Sequence, residues 1–505
     1  MQLTSLGFLL FILIGLVLYY VMPKRVQPVI LLFMSLFFYC SYDVRMLIYI
    51  LCTMLTTFWA ARKIDVLERK DCRRKRILQM TLLINFGLLA FVKYTEFLFD
   101  NLNGIADYFH VNLSIPGIQI LAPIGISFYT FQATGYILDV YWKKDCAETI
   151  FWKYALFVSF FPQIIQGPIS KHKQLSNELF LPHSLNTENI EAGILLILWG
   201  FFKKMIIADT MAIAVSSVYD TNSYYGIAVI AGVLCYCAQL YCDFSGGIDV
   251  IRGVARLFAI EMVDNFRQPF FSKSISEFWR RWHITLGIWM KDYVFYPISL
   301  SKWMTKFGGK CRGWFGNKTG RKLPVCVANI IVFLLVGVWH GPNWNFIVYG
   351  LYNGLIIAIS SLLTPLYDWL YNISKISKGS KGMQMFQIIR TFVLVNIGWY
   401  FDRAVSLSHA IDLMRRTFVS GGTLVVDNAF LGLYKYQYAY VVLALIIVFI
   451  VGVMHEKGIV IHKWMKTKPL VVQYAIWLIL IFSIPIMGFY SPNSNIVGGF
   501  MYANF

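Results

Sequence analysis

Apolar windows recur along the whole chain, near residues 3–22, 27–60, 78–99, 118–141, 150–166, 190–217, 224–250, 324–363, 386–401, 438–454 and 469–488. A window of about 17 to 25 apolar residues is what one helix needs to cross a bilayer. Several of these could hold two segments, so the pattern predicts about 10 to 14 membrane helices. One stretch differs, because between residues 262 and 322 charges and aromatics alternate. There Phe278, Trp282, Trp289 and Tyr293 roughly follow helical spacing with Arg280, Arg281 and Lys291 between them. This pattern predicts an interfacial amphipathic helix.

Prolines and glycines interrupt the windows at Pro116-Gly117, Pro123-Ile-Gly125, Phe161-Pro162, Gly167-Pro168 and Gly341-Pro342. Proline removes a backbone donor, and in a bilayer the freed groups must find partners in protein or in a wet cavity. The predicted fold class is therefore an all-α polytopic membrane protein, with interfacial and re-entrant helices enclosing a tunnel or funnel. The chain reads as a single membrane-embedded domain, 1–505. Within it stand N-terminal helices (1–260), interfacial helices (261–322), a histidine-bearing hairpin with the following helix (323–404) and C-terminal helices (405–505).

Composition agrees: of 505 residues 58% are hydrophobic and 14% charged, with a mean hydropathy of +0.60. Soluble globular chains do not reach these values. The N-terminal window has neither a preceding basic residue nor a small-residue cleavage site, and reads as a retained helix. The nine cysteines show no paired spacing and read as small buried hydrophobes.

A net charge of +19 would suit nucleic acid, but the basic residues cluster between the apolar windows, so topology explains them and no nucleic-acid partner is expected. Eight Lys and Arg lie between Ala61 and Thr81, none in residues 100–117, and twelve from Arg267 to Lys322. Basic loops 61–77 and 267–322 should face the cytosol, which puts the N-terminus outside.

From Leu323 to Tyr367 there is no Asp, Glu, Lys or Arg, and the one histidine is His340, in Trp339-His340-Gly341-Pro342-Asn343-Trp344. An ionisable group in lipid costs several kcal/mol unless it faces protein or water, so His340 is a functional candidate. A buried neutral imidazole suits a general base for a hydroxyl. The alternatives are a hydrogen bond between helices, or a gate or proton relay in a transporter or channel. His283, in Trp279-Arg280-Arg281-Trp282-His283, is the second candidate, with an interfacial anchor as its alternative. Phosphate-binding loops, zinc-protease pairs and serine-hydrolase elbows are absent from the sequence, and no metal is expected.

The two histidine segments together resemble the membrane-bound O-acyltransferase family, closest to its bacterial alginate O-acetyltransferase-like branch and the related teichoic acid D-alanyltransferase-like proteins. The likeness extends over Leu31 to Tyr39, Pro123 to Gln132, Tyr136 to Tyr141, Phe160-Phe-Pro-Gln163, Gly167-Pro168, Phe201-Phe-Lys-Lys204, Asp243-Phe-Ser245-Gly246 and Asn265-Phe266. Two departures touch the acceptor more than the chemistry: Gly247-Ile-Asp-Val250 after Asp243-Phe-Ser-Gly246, and Ser299 to Trp303 after Tyr296-Pro297. Continuation through Trp399-Tyr-Phe-Asp-Arg-Ala404 to two further apolar windows favours the alginate type.

The resemblance implies His340 as the catalytic residue and His283 as a second important one. Trp279, Arg280, Arg281, Trp282, Trp339, Asn343, Trp344, Asp243 and Ser245 are the candidates for lining the substrate path, and Asn343 and Trp344 the candidate oxyanion donors. It implies no bound cofactor. An acyl thioester, acetyl-CoA or an acyl carrier protein, serves as cytosolic co-substrate, and the acyl group, most simply acetyl, passes to an exported polysaccharide or to an extracytoplasmic partner acyltransferase. D-alanyl transfer to teichoic acid is the alternative within the family. The implied setting is the bacterial cytoplasmic membrane.

Overall fold

The computed structural model describes residues 1–488 apart from 113, 119, 165, 376 and 420–428. The chain is helical almost throughout, and its contacts divide into two compact units. The end of the expected 405–505 segment, beyond 488, lies outside the described residues.

The first unit comprises Met1–Phe201 and Gly247–Val263. Its helices are α1 (Leu6–Val21), α2 (Gln27–Cys40), α3 (Leu47–Val66), α4 (Cys72–Tyr108), α5 (Ile126–Tyr141), α6 (Phe151–Ser159), α7 (His172–Phe180) and α8 (Thr187–Phe201). The expected basic loop 61–77 is mostly helix: α3 runs to Val66, and Asp71 caps α4 by accepting from the Arg73 amide at 2.8 Å. Capping by an aspartate satisfies an amide the helix itself leaves unbonded. Within α4, buried Arg74 donates to the Tyr141 carbonyl at 2.7 Å.

Windows 118–141 and 150–166 are interrupted where proline and glycine predicted. Gly125 takes a left-handed φ of 72° to start α5 and packs directly on the Ile164 carbonyl, leaving no room for a Cβ. The freed backbone is bonded by protein: Phe161 N donates to Ser35 Oγ at 3.1 Å, and Gln132 Nε2 donates to the Phe157 carbonyl at 2.8 Å. This is how irregular backbone survives at membrane depth.

The second unit comprises Phe202–Gly246 and the chain from Asp264 onward. It opens with a π-helical turn, Phe202–Ala208, followed by α9 (Asp209–Tyr219) and α10 (Ile227–Leu257), whose last residues belong to the first unit. Then come α11 (Ile275–Arg281), α12 (Ile284–Met290), α13 (Tyr296–Ser299), α14 (Lys302–Gly320), α15 (Leu323–His340), α16 (Trp344–Leu362), α17 (Thr364–Ser374) and α18 (Lys381–Arg403). Helices α19 (Leu407–Thr417), α20 (Lys435–Glu456), α21 (Ile461–Lys466) and α22 (Leu470–Gly488) complete it, with one small antiparallel pair, Ala429–Phe430 on Leu433–Tyr434.

Among the described residues seven helices are long and apolar enough to cross a membrane: α3 with its preceding turn, α4, α10, α15, α16, α20 and α22. The other apolar windows fold as shorter or interrupted helices, and α18 carries Arg390, Asp402 and Arg403 among its apolar residues. On α20 and α22 only 11% of the apolar window is buried, as suits helices that face lipid. The chain is a polytopic helical membrane protein.

The predicted single amphipathic helix is in fact two. Between α11 and α12 the chain breaks at Trp282-His283, and His283 takes a left-handed conformation of φ 46°, ψ 54°. Residues 265–267 cause the break by pairing against it: Arg267 N donates to the Arg281 carbonyl and Ile284 N to the Asn265 carbonyl, each at 2.9 Å. A helical period in the side chains cannot reveal a distant strand-like partner.

Candidate active site

The uncharged run folds as a hairpin, α15 and α16, joined at Gly341-Pro342. Its helices touch backbone to backbone, because a Cβ on Gly337 would strike the Phe346 carbonyl and one on Gly350 the Phe333 carbonyl. Small residues allow this approach between apolar helices. The packing fixes the last residue of α15, His340, which is 4% exposed. Its ring lies between Phe346, nearly parallel at 6.2 Å, and Tyr349, edge-on at 5.5 Å.

Helix α18 brings a carboxylate to this imidazole. His340 Nδ1 lies 3.4 Å from Asp402 Oδ1, and the other oxygen, Oδ2, accepts a 2.7 Å hydrogen bond from the Tyr236 hydroxyl of α10. Neither Asp402 nor Tyr236 follows from the motifs. The signal that could have found Asp402 is a single carboxylate at the end of the 386–401 window.

His283 is buried, 3% exposed, and is not a surface anchor. Its Nδ1 lies 3.3 Å from Asn265 Oδ1, which also accepts from Thr285 N at 3.0 Å and Thr285 Oγ1 at 2.9 Å. Its ring meets Phe244 at 4.9 Å and Trp339 at 5.7 Å. Burial, with His340 as the second cause, pushes this imidazole down to about 3 and keeps it uncharged at neutral pH. Trp339, buried next to His340 in sequence, therefore touches both imidazoles.

The other predicted residues divide into those near this centre and those bonded elsewhere. Trp279 Nε1 donates to Asn353 Oδ1 of α16 at 3.0 Å, and buried Trp282 stacks on Phe278 and meets Trp399 at 5.6 Å. Arg281 pairs with Glu277 at 2.9 Å and with Glu456, while Arg280 is exposed. Asn343 caps α16, accepting from Trp344 N at 3.1 Å, and its amide donates to the Val405 carbonyl at 2.9 Å; Trp344 is 52% exposed. Their side chains are thus directed to the cap and to the surface. Asp243 and Ser245, both buried, accept from Lys204 Nζ at 2.6 Å and Lys203 Nζ at 2.8 Å. Lys204 also pairs with Asp209 at 2.8 Å. The Phe201-Phe-Lys-Lys204 and Asp243-Phe-Ser-Gly246 motifs are thereby tied to each other.

Two imidazoles around one indole, the first faced by a buried carboxylate, can move a proton to or from a hydroxyl without water. Among the described residues no cluster of His, Cys, Asp and Glu could hold a metal ion. The pattern of the MBOAT, membrane-bound O-acyltransferase, family matches residues 148–308, which include His283 and stop before His340. Similarity to individual proteins runs further. A probable alginate O-acetylase, AlgI, of Azotobacter vinelandii is 32% identical over 88% of this chain and 83% of its own length. The peptidoglycan O-acetyltransferase of Helicobacter pylori is 30% identical over 75% of this chain and 72% of its own length. The teichoic acid D-alanyltransferase of Bacillus subtilis is 28% identical over 58% of this chain and 72% of its own length. The chain belongs to the membrane-bound O-acyltransferase family and is a multi-pass membrane O-acyltransferase.

Proposed function

We propose that this protein moves an acetyl group from a cytosolic acyl thioester, acetyl-CoA or an acyl carrier protein, to a hydroxyl on the outer side of a bacterial cytoplasmic membrane. The hydroxyl belongs to an exported polysaccharide, or to an extracytoplasmic partner acyltransferase that passes the acetyl group on. His340 is the general base: it takes the hydroxyl proton as the oxygen attacks the thioester carbonyl. The C–S bond then breaks, and the departing thiolate takes the proton back. Atoms balance as ester plus free thiol. His283, across Trp339, orients the thioester.

The observation that carries this reading is the burial of both imidazoles against one indole. In such a site proximity works without competing hydrolysis. The acceptor class follows the relatives named for alginate and peptidoglycan, both of them glycans. The D-alanyl relative covers less of the chain, 58%, and supports that acyl group less well. The basic ends of α3 and α4 and the six exposed Lys and Arg from Lys302 to Arg321 suit a cytosolic, phosphate-bearing donor. On this topology the N-terminus is outside.

The test is the acetate released by alkali from surface polysaccharide of cells that make the parental protein or His340→Ala, with labelled acetate as tracer. Loss of the base should lower transfer by roughly 10²- to 10⁴-fold. A folded His340→Ala protein that transfers at the parental rate overturns the reading.

A further inference from the structure

We propose that Asp402 is the positioning residue of His340, and that Tyr236 in turn fixes Asp402; the inference rests on His340 being the general base. Asp402 Oδ1 faces His340 Nδ1 at 3.4 Å, with both side chains nearly excluded from solvent. A proton held on Nδ1 towards the carboxylate turns Nε2, on the opposite side of the ring, into the acceptor for the hydroxyl proton. Phe346 and Tyr349 pack against the ring. A separation of 3.4 Å is longer than a hydrogen bond, as catalytic contacts commonly are before substrate is bound.

The surroundings of the carboxylate support this role over simple packing. A buried carboxylate costs several kcal/mol unless it is paired, and a structural ion pair would use a Lys or Arg. The cation next to Asp402 in the chain is Arg403, and it is directed to Asp220 at 3.1 Å. The partners of Asp402 are a phenol and an imidazole: the Tyr236 hydroxyl at 2.7 Å on Oδ2 and His340 on Oδ1. Tyr236 is itself held, its ring edge-on to Trp399 at 6.1 Å and tilted on Tyr219 at 5.8 Å. A carboxylate bonded on one oxygen and aimed by the other at an imidazole selects the tautomer and stabilises the imidazolium formed on proton transfer.

During transfer Nε2 receives the hydroxyl proton as the acyl C–O bond forms. The imidazolium carries that charge opposite Asp402, and the proton goes to the sulfur when the C–S bond breaks. Asp402 keeps its charge throughout and needs no proton of its own.

The experiment uses membrane vesicles of the bacterial host, which hold the native acceptor, supplied with labelled acetyl-coenzyme A. Parental protein, Asp402→Asn, Asp402→Glu, Tyr236→Phe and His340→Ala are compared for kcat, KM for the donor and the pH profile of kcat. The titratable groups facing His340 are Asp402 on α18, Tyr349 on α16 and His283 before α12, with Tyr236 behind Asp402. Among these groups Asp402 is the carboxylate, and Asp402→Asn removes its charge. Asp402→Asn should therefore lower kcat at least tenfold, leave KM within about twofold and move the acid limb down by roughly one pH unit. Asp402→Glu should recover part of kcat, and Tyr236→Phe should lose several-fold in the same direction.

Parental kcat and pH limb in Asp402→Asn, beside an inactive His340→Ala, overturns the role of Asp402 and leaves the base in place. Loss in Asp402→Asn with an unmoved pH limb and no recovery by Glu makes Asp402 structural and overturns it too. An active His340→Ala overturns the underlying reading instead. Should Asp402→Asn fail to fold, parental kcat in both Asp402→Glu and Tyr236→Phe overturns the inference.

Discussion

The imidazole of His283 lies 5.7 Å from the indole of Trp339, the residue that precedes His340 in the chain. His283 reaches this contact only through a left-handed backbone of φ 46°. Asparagine enters that region more readily than other non-glycine residues and is close in size. We expect His283→Asn to fold with a thermal midpoint near the parental one and to transfer the acyl group at least tenfold more slowly. Full activity in the folded variant would remove His283 from the chemistry, whereas a large fall in midpoint would make its role structural.

Acid should expose the same residue through stability. His283 is held down to about 3 in the folded protein by burial first and His340 second, against about 6.5 for a free imidazole. The unfolded chain binds the proton that the folded chain refuses, so this contribution is complete above about pH 6.5 and is lost as the pH falls towards 3. Between pH 7 and pH 5 the loss is about 2 kcal/mol. Thermal midpoints of detergent-solubilised protein should drop across that interval, and those of His283→Asn should drop less. Equal drops would show that His283 does not carry the effect.

The helix-breaking pairs and the uncharged run made the hairpin and His340 legible, because proline chemistry and the cost of charge in lipid are local. Asp402 and Tyr236 were not legible. They meet His340 through the packing of α18 and α10, and nothing in the spacing of residues 236, 340 and 402 records that packing. The turn at His283 was hidden likewise, since it depends on Asn265 and Arg267 pairing with residues 281 to 285. Composition left base, gate and structural histidine open; the relatives decide for an acyltransferase.

The lysine of Phe-Phe-Lys-Lys204 should prove a stability element. Lys204 stands between Asp243 at 2.6 Å and Asp209 at 2.8 Å, all but shut off from solvent. Lys204→Met leaves two carboxylates without their cation, a change that costs about 3 to 5 kcal/mol in buried pairs. Adding Asp243→Asn removes one stranded charge, so the double variant should be the more stable of the two by at least about 1 kcal/mol. Thermal or denaturant midpoints around the double-mutant cycle measure this. A double variant no more stable than Lys204→Met would show that the pair contributes nothing beyond its separate members.

Gly350 tests how closely activity depends on the hairpin. A Cβ there would press on the Phe333 carbonyl and come within 3.0 Å of the Gly337 Cα, so α15 and α16 must part or shift for Gly350→Ala to fold. Overpacking of this kind costs about 1 to 3 kcal/mol. The shift also reaches His340, which is carried at the end of α15. The expected result is a lower thermal midpoint, with transfer reduced at least tenfold at temperatures where the variant is still folded. Gly313 on α14 is the control, since a Cβ there meets nothing within 4 Å, and Gly313→Ala should keep both midpoint and rate. Parental transfer in folded Gly350→Ala would show that activity does not depend on the spacing of the hairpin that carries His340.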